Sequence, residues 1–386
     1  MPETRSFRAV RWRESLRWGG WLAHTARVLW PRRLSLLVVL CGACAAPRAD
    51  TEVVESPTAP EAKEAAEVDA SSPDEAPVEL VELGTGVWAA LQPTPLRFTD
   101  ANSLWVATEQ GSLVVDAPTD PRTVAYTIEA MRERGMPAPR WLVYTHWHLD
   151  HTLGAAQLRA ASSGEFEVYG HAALVETDLF SKRLVEQHEE LKAGLKEAGR
   201  DELLEQVSVE LLAPDHAVRD ALELELGGLP VVLHPVAAHT DGDLLVEFPR
   251  AKLWASGDVL DDLPFAGHGH PSAWPAALEL MHSRGVERVV PGHGSVYEGS
   301  THLSLMLDYW RELLGAVRAA HDDSELEALT EAMMASDSRF KRYREALVVD
   351  GASERAFAAW FPEALKMAWA ELEASPAQPS DAAASD

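Results

Sequence analysis

Cysteine is close to absent: the 386 residues contain two, Cys41 and Cys44, both near the amino terminus. Everything beyond Cys44 therefore has no disulfide, no thiolate metal ligand and no cysteine nucleophile. Positive charge is also scarce, with 34 Lys and Arg against 61 Asp and Glu and a formal net charge of −27. Such a surface repels a phosphate backbone, which excludes nucleic acid as a partner and leaves a small-molecule substrate as the expected one. No internal repeat is present. Long apolar runs are missing too. The run at 34–40 is far short of the roughly 20 residues that span a bilayer.

The basic residues that do occur are concentrated at the start. Eight arginines from Arg5 to Arg33 face only Glu3 and Glu14, with Trp12, Trp18, Trp21 and Trp30 among them. Arg32-Arg33, the apolar run and the small residues after it have the order of a secretory signal. Gly42-Ala43-Cys44 resembles the lipobox of bacterial lipoproteins, with Cys41 where leucine is usual. The expectation is an exported periplasmic or outer-membrane lipoprotein, attached to the membrane through an acylated Cys44. A start near Val28 or Leu29 leaves the same signal with a shorter leader. Residues 44–78, rich in Ala, Pro, Glu, Asp and Ser and without aromatics, read as a disordered, self-repelling tether.

Periodicity changes near Glu79. Strands are predicted over 87–92, 104–108, 113–116, 141–145 and 166–169, with helices over 123–134 and 172–196. The second half is built alike, with strands over 222–226, 231–236, 244–248, 253–256 and 288–290 and a helix over 273–282. From 301 to about 373 the pattern is helical, and the Ser/Ala/Asp tail from 375 reads as disordered. The expected organisation is a leader at 1–43, a tether at 44–78, a catalytic α/β domain at 79–300, a helical extension at 301–374 and a tail at 375–386. Two similar halves of strands and helices suggest an α/β sandwich with helices outside two sheets. In the extension, Tyr309, Trp310, Trp360, Phe361 and Trp369 read as core residues. Arg339, Lys341, Arg342 and Arg344 read as a solvated helix face.

Chemistry concentrates in Thr145-His146-Trp147-His148-Leu149-Asp150-His151, directly after a buried strand. With 15 histidines in the chain, chance gives His-x-His-x-Asp-His with a probability on the order of 10⁻³. Extended backbone sends residues i and i+2 to one side, so His146 and His148 can reach one ion. Asp150 and His151 follow where the chain turns into a helix and can reach a second.

This segment resembles the metal motif of the metallo-β-lactamase superfamily, and the other family elements follow in order. They are Asp116 after a strand, His239-Thr240-Asp241-Gly242-Asp243, Ser256-Gly257-Asp258 and Pro291-Gly292-His293-Gly294. The resemblance implies a four-layer αββα sandwich, with the helical extension appended. It implies His146, His148 and His239 on one metal, Asp150, His151 and His293 on a second, and Asp258 bridging them. Two zinc ions are the expected cofactors, with iron or manganese as alternatives. Asp150 and Asp258 would be the catalytic carboxylates, and His268 and His270, in a Gly-rich loop, candidate substrate contacts.

The implied reaction is attack of a metal-bridging hydroxide on an ester, lactone or thioester-like carbonyl. A β-lactam is the alternative substrate, and an iron-dependent persulfide dioxygenase-like oxidoreductase the alternative class. The flavodiiron branch carries glutamate where this chain has His148. His171 is expected to cap a helix, and His234 to be a satisfied core or rim residue. His188, His282, His302 and His321 lie on helical faces. Asp261 and Asp262 have no evident role.

Overall fold

The computed structural model describes residues 76–374, except 95–96, 267, 322–325 and 336–337. The basic leader, Cys44, most of the tether and the tail lie outside the described residues. No helix among those described is long and apolar enough to cross a membrane.

The first sheet has seven strands in chain order: β1 (Glu79–Gly84), β2 (Val87–Leu91), β3 (Ser103–Thr108), β4 (Gly111–Val115), β5 (Pro139–Val143), β6 (Glu167–His171) and β7 (His216–Val218). It is antiparallel from β1 to β4 and parallel from β4 to β7. The second sheet contains β8 (Leu222–Leu226), β9 (Leu229–Val236), β10 (Asp243–Phe248), β11 (Leu253–Gly257), β12 (Arg288–Pro291) and β13 (Tyr297–Glu298), ordered from β13 to β8. Only the β11–β12 pair is parallel.

Alternation along the strands generates the layers, because successive side chains point to opposite faces. In β4, Leu113 and Val115 enter a core between the sheets, and Val114 enters a second core outside them. Trp141 and Val143 of β5 share the inner core, and Leu142 the outer one. On β10, Leu244, Val246 and Phe248 meet the first sheet, and Leu245 faces away from it. Fully burying each such side chain contributes roughly 1.5–3 kcal/mol.

Helices cover both outer faces. On the first sheet lie α1 (Pro121–Glu133), α2 (Leu149–Thr152), α3 (Ala155–Ala161), α4 (Ala172–Glu176), α5 (Val185–Glu197) and α6 (Asp201–Val207). On the second lie α7 (Trp274–Ser283) and the extension, α8 (Thr301–His321), α9 (Leu326–Met334), α10 (Lys341–Leu347) and α11 (Gly351–Ala374). Trp274, Trp310, Tyr309, Phe340 and Phe361 join that face and the extension in one apolar cluster. The result is the four-layer α/β sandwich with a helical carboxy-terminal region.

The helix predicted over 172–196 is broken. Thr177 adopts extended backbone after α4, its hydroxyl donating to the Ala173 carbonyl and accepting from the Leu179 amide. A π-helical turn at Leu179–Leu184 then leads into α5. A threonine that bonds its own backbone offers the chain an alternative to the helical ladder. The basic residues of the extension are paired: Arg342 with Glu312, Arg344 with Glu354 and Lys341 with Glu345.

Candidate metal centre

The centre lies at the ends of β4, β5, β11 and β12, where loops leave both sheets. β5 ends at Val143, the chain bends at Thr145, His146 and Trp147, and His148, extended at a φ of −61° and ψ of 151°, is the residue before α2. His146 and His148 thus present ring nitrogens to one point, His146 Nε2 standing 2.9 Å from His148 Nδ1. His239 Nε2 approaches the same His148 atom at 3.1 Å. Helix α2 carries Asp150 and His151 to the other side.

A carboxylate fixes the loop bearing His239. Asp243 accepts from the backbone amides of Ala238, His239 and Thr240 and from the Thr240 hydroxyl. Burial pushes its carboxyl upward, and the charge of His239 and these hydrogen bonds oppose that shift. Asp258 follows β11 through Gly257, which has a φ of +49°. A Cβ at Gly257 would stand 2.5 Å from Thr145 Oγ1, so the turn requires glycine on both counts.

The distal nitrogens of the inward-facing histidines are held from outside. His239 Nδ1 donates to the Phe265 carbonyl at 2.8 Å, and His293 Nδ1 to the Arg97 carbonyl at 3.0 Å. His151 Nδ1 bonds Asp116 at 2.8 Å. Asp116 also accepts from the Thr145 amide and hydroxyl, both at 2.7 Å. It does so at a φ of +62°, a strained conformation for a residue other than glycine. Fixing one nitrogen fixes the tautomer and leaves Nε2 of each ring directed inward.

Asp258 lies between the two groups. Its Oδ2 is 3.3 Å from His239 Nε2 and 3.5 Å from His293 Nε2, and its Oδ1 is 3.2 Å from His151 Nε2. Asp150 Oδ2 is 3.2 Å from His293 Nε2. The donor atoms of His146, His148, His239 and Asp258 lie within 4.8 Å of one another, as do those of Asp150, His151 and His293.

The donor set fits divalent cations. Asp258 Oδ1 and His151 Nε2 are fully buried yet have no hydrogen-bond partner, a cost that a shared cation would remove. A Cβ on Gly292 would stand 2.0 Å from Asp258 Oδ1 and 3.0 Å from His151 Cε1, so the cradle needs a bare backbone there. Burial, and then the neighbouring imidazoles, hold His146 and His148 well below the ordinary histidine range, in the neutral form a metal takes. For His151 and His293 burial acts in the same direction, but Asp258 and the other carboxylates reverse it and raise both. For Asp258 burial acts upward, and the imidazoles, His151 first, hold it well below the usual carboxylate range.

All seven residues predicted as ligands are brought together. The structure separates the two candidate substrate histidines. His268 Nδ1 lies 2.9 Å from His148 Nε2, and its ring lines the cavity beside the centre. Burial, with His239 and Arg183, pulls His268 down to about 4. His270 lies outside that lining, bonded to Asp241 at 2.6 Å and paired with Glu371.

Several groups had no signal in the sequence. Asp261 is buried, lines the cavity and accepts from the His293 amide at 2.9 Å. Trp360, read as core, is only partly buried and forms cavity wall together with Phe98, Thr99 and Gln187. Four further histidines have partners away from the ligand groups. His171 Nδ1 accepts from the Ala173 amide, His234 pairs with Glu247, His188 with the Val207 carbonyl and His302 with the Asp261 carbonyl. A second hollow among α9, α10 and α11, lined by Met333, Phe340 and Phe357, shares no residue with the histidine cavity.

Residues 96–293 match the family described as the metallo-beta-lactamase superfamily, and the chain belongs to it. Among curated proteins, the hydroxyacylglutathione hydrolase of Anaeromyxobacter dehalogenans (strain 2CP-C) is 26% identical over 164 residues, 42% of this chain and 48% of that one. The chain thus spans about half the length of that relative. Among solved structures, a metallo-beta-lactamase family protein from Thermus thermophilus aligns with a TM-score of 0.52 at 16% identity, over 77% of this chain and 98% of that one. The stereoselective inverting sec-alkylsulfatase Pisa1 from Pseudomonas sp. aligns with a TM-score of 0.56 at 14% identity, over 78% and 52%. At these identities the two likenesses concern the fold.

Proposed function

We propose that this protein is a metal-dependent hydrolase of ester, lactone or thioester-like carbonyls that uses two divalent ions, zinc by preference. His146, His148 and His239 would hold one ion, Asp150, His151 and His293 the other, and Asp258 both. When bound, such ions bring the pKa of a coordinated water near neutrality and polarise a carbonyl oxygen. The observation that carries this reading is Asp258, a buried carboxylate within 3.5 Å of imidazoles from both groups, with Oδ1 unsatisfied.

The chain's own residues supply the rest. Asp116 and the carbonyls of Phe265 and Arg97 orient His151, His239 and His293, so little reorganisation is needed when charge develops. Asp150, with 24% of its side chain exposed, is the ligand carboxylate most open to the cavity, and it serves to orient or accept the proton of an attacking water. Phe98, Leu149 and Trp360 narrow the approach and limit bulk water.

Oxygen and sulfur leaving groups need less protonation than an amide nitrogen, which favours esters, lactones and thioesters over β-lactams. The similarity to a hydroxyacylglutathione hydrolase supports hydrolysis as the reaction class. The test is chelator-stripped protein, reloaded with zinc, manganese or iron and given lactones, aryl esters, thioesters and β-lactams. Zinc-restored turnover, higher for lactones or activated esters than for any β-lactam, is expected. Cleavage of β-lactams alone would overturn the substrate class, and no turnover by metal-replete protein would overturn the hydrolase reading. We further propose export and membrane attachment through Cys44, on the strength of the leader.

A further inference from the structure

The cavity beside the histidines has two unlike sides. One is made of His148, Asp150, Asp258, Asp261 and His293, and the other of Phe98, Phe265 and Trp360. The three rings form a continuous corner. Phe98 meets Trp360 edge-on at 5.4 Å between centroids, and Phe265 tilts against Trp360 at 5.1 Å. All three are partly exposed, although they are large apolar groups with a hydrophobic core close by. The corner is assembled from three separate segments. Trp360 comes from α11 of the extension, and the loop of Phe98 is tied to the start of that helix by Arg97, which pairs with Asp350 at 2.8 Å.

Charge is distributed to match. Among the described residues lining the cavity none is Lys or Arg, whereas three are aspartates. The nearest arginines stand behind this lining: Arg97, stacked on Phe98, is buried and paired with Asp262 and Asp350, and Arg183 lies over Trp147, so peripheral carboxylates, as in a glutathione conjugate, would meet no cation in the lining itself. An uncharged aromatic or alicyclic group would meet apolar ring faces and edges.

Building on the hydrolase reading above, we propose that Phe98, Phe265 and Trp360 form an acyl-group subsite, making the protein selective for aryl or cycloalkyl acyl compounds without peripheral charge. The carboxy-terminal extension, through Trp360, is then part of the substrate site.

Two measurements test this on the full chain loaded with zinc. The first compares kcat/KM for 4-nitrophenyl phenylacetate and 4-nitrophenyl acetate in wild type, Trp360→Ala and Trp360→Phe. Wild type should favour the phenylacetyl ester, Trp360→Ala should cut that ratio about tenfold, and Trp360→Phe should keep most of it. The second is calorimetric binding of phenylacetate and acetate, which needs no turnover. Phenylacetate should bind wild type at least about tenfold more tightly than acetate, and Trp360→Ala should lose that preference. Equal binding of the two acids, or a preference unchanged in Trp360→Ala, overturns the subsite even if esters are hydrolysed. Absence of esterase activity with the binding preference intact overturns the ester substrate class instead and leaves the subsite standing.

Discussion

Asp116 holds His151 by a 2.8 Å hydrogen bond to Nδ1, and the opposite ring nitrogen stands 3.2 Å from Asp258 Oδ1. One carboxylate, outside the ligand set, thereby aims an imidazole at another. Asp116 also receives the Thr145 amide and hydroxyl, so it locks the segment that leads into His146. Replacing Asp116 with Asn keeps the volume but exchanges a charged acceptor for an amide. Metal affinity of the His151 group should fall by about 10–100-fold. Competition against a graded chelator measures this, and unchanged affinity would remove Asp116 from the centre.

Gly292 is a second point where one atom decides the outcome. A methyl group there would occupy the space of Asp258 Oδ1, at 2.0 Å. Gly292→Ala should therefore displace Asp258 and lower bound metal severalfold. Gly164→Ala, with nothing within 4 Å of the added methyl, should leave metal content at the wild-type level. Atomic absorption on the two purified variants separates a local clash from a general intolerance of alanine.

Arg97 joins the cavity loop to the extension. Its buried guanidinium pairs with Asp262 at 2.9 Å and Asp350 at 2.8 Å, and its carbonyl receives His293 Nδ1. Arg97→Met should cost about 2 kcal/mol, less than a fully buried pair because both aspartates are partly hydrated. The hydrogen bond from Arg97 holds the Asp350 carboxyl well below its ordinary value of 3.8. A carboxyl lowered on folding stabilises fully above 3.8 and loses that contribution as pH falls through its folded value. The Tm difference between wild type and Asp350→Asn should accordingly shrink as the pH is taken down from 6 through the acid range. A constant difference would contradict the pairing.

Much of this was legible in the sequence, for identifiable reasons. β8 (Leu222–Leu226) matches its predicted bounds because its Leu/Glu alternation is a strong local signal, and β2, β10 and β11 differ by a residue at one end, β10 and β11 as short strands buried at every position. The seven ligand positions were readable because each follows a strand or opens a turn with its own signature. β7 (His216–Val218) and β13 (Tyr297–Glu298) were not, since three and two residues cannot display a period. The break at Thr177 was hidden by the charged helical pattern on both sides of it. Trp360 read as core because apolar spacing on α11 does not reveal which aromatic position meets a cavity formed by distant segments. Arg97 and Phe265 act on histidines through backbone carbonyls, which no side-chain motif records.

The proposed anchor makes its own prediction. If the leader is cut before Cys44 and that cysteine is acylated, mass spectrometry of the membrane fraction should find a diacylglycerol-modified Cys44 at the mature amino terminus. Cys44→Ser should then release the protein from membranes. Recovery of an intact Arg-rich leader on soluble protein would contradict export.

Asp258 joins the two histidine groups, its carboxylate standing within 3.5 Å of the inward ring nitrogens of imidazoles from both. Metal content per chain, measured by inductively coupled plasma mass spectrometry on wild type and Asp258→Ala after dialysis against trace zinc, tests this most directly. Close to two ions in wild type and one or fewer in the variant are expected. Wild-type protein without bound metal, or the same content in both proteins, would contradict a two-ion centre bridged by Asp258.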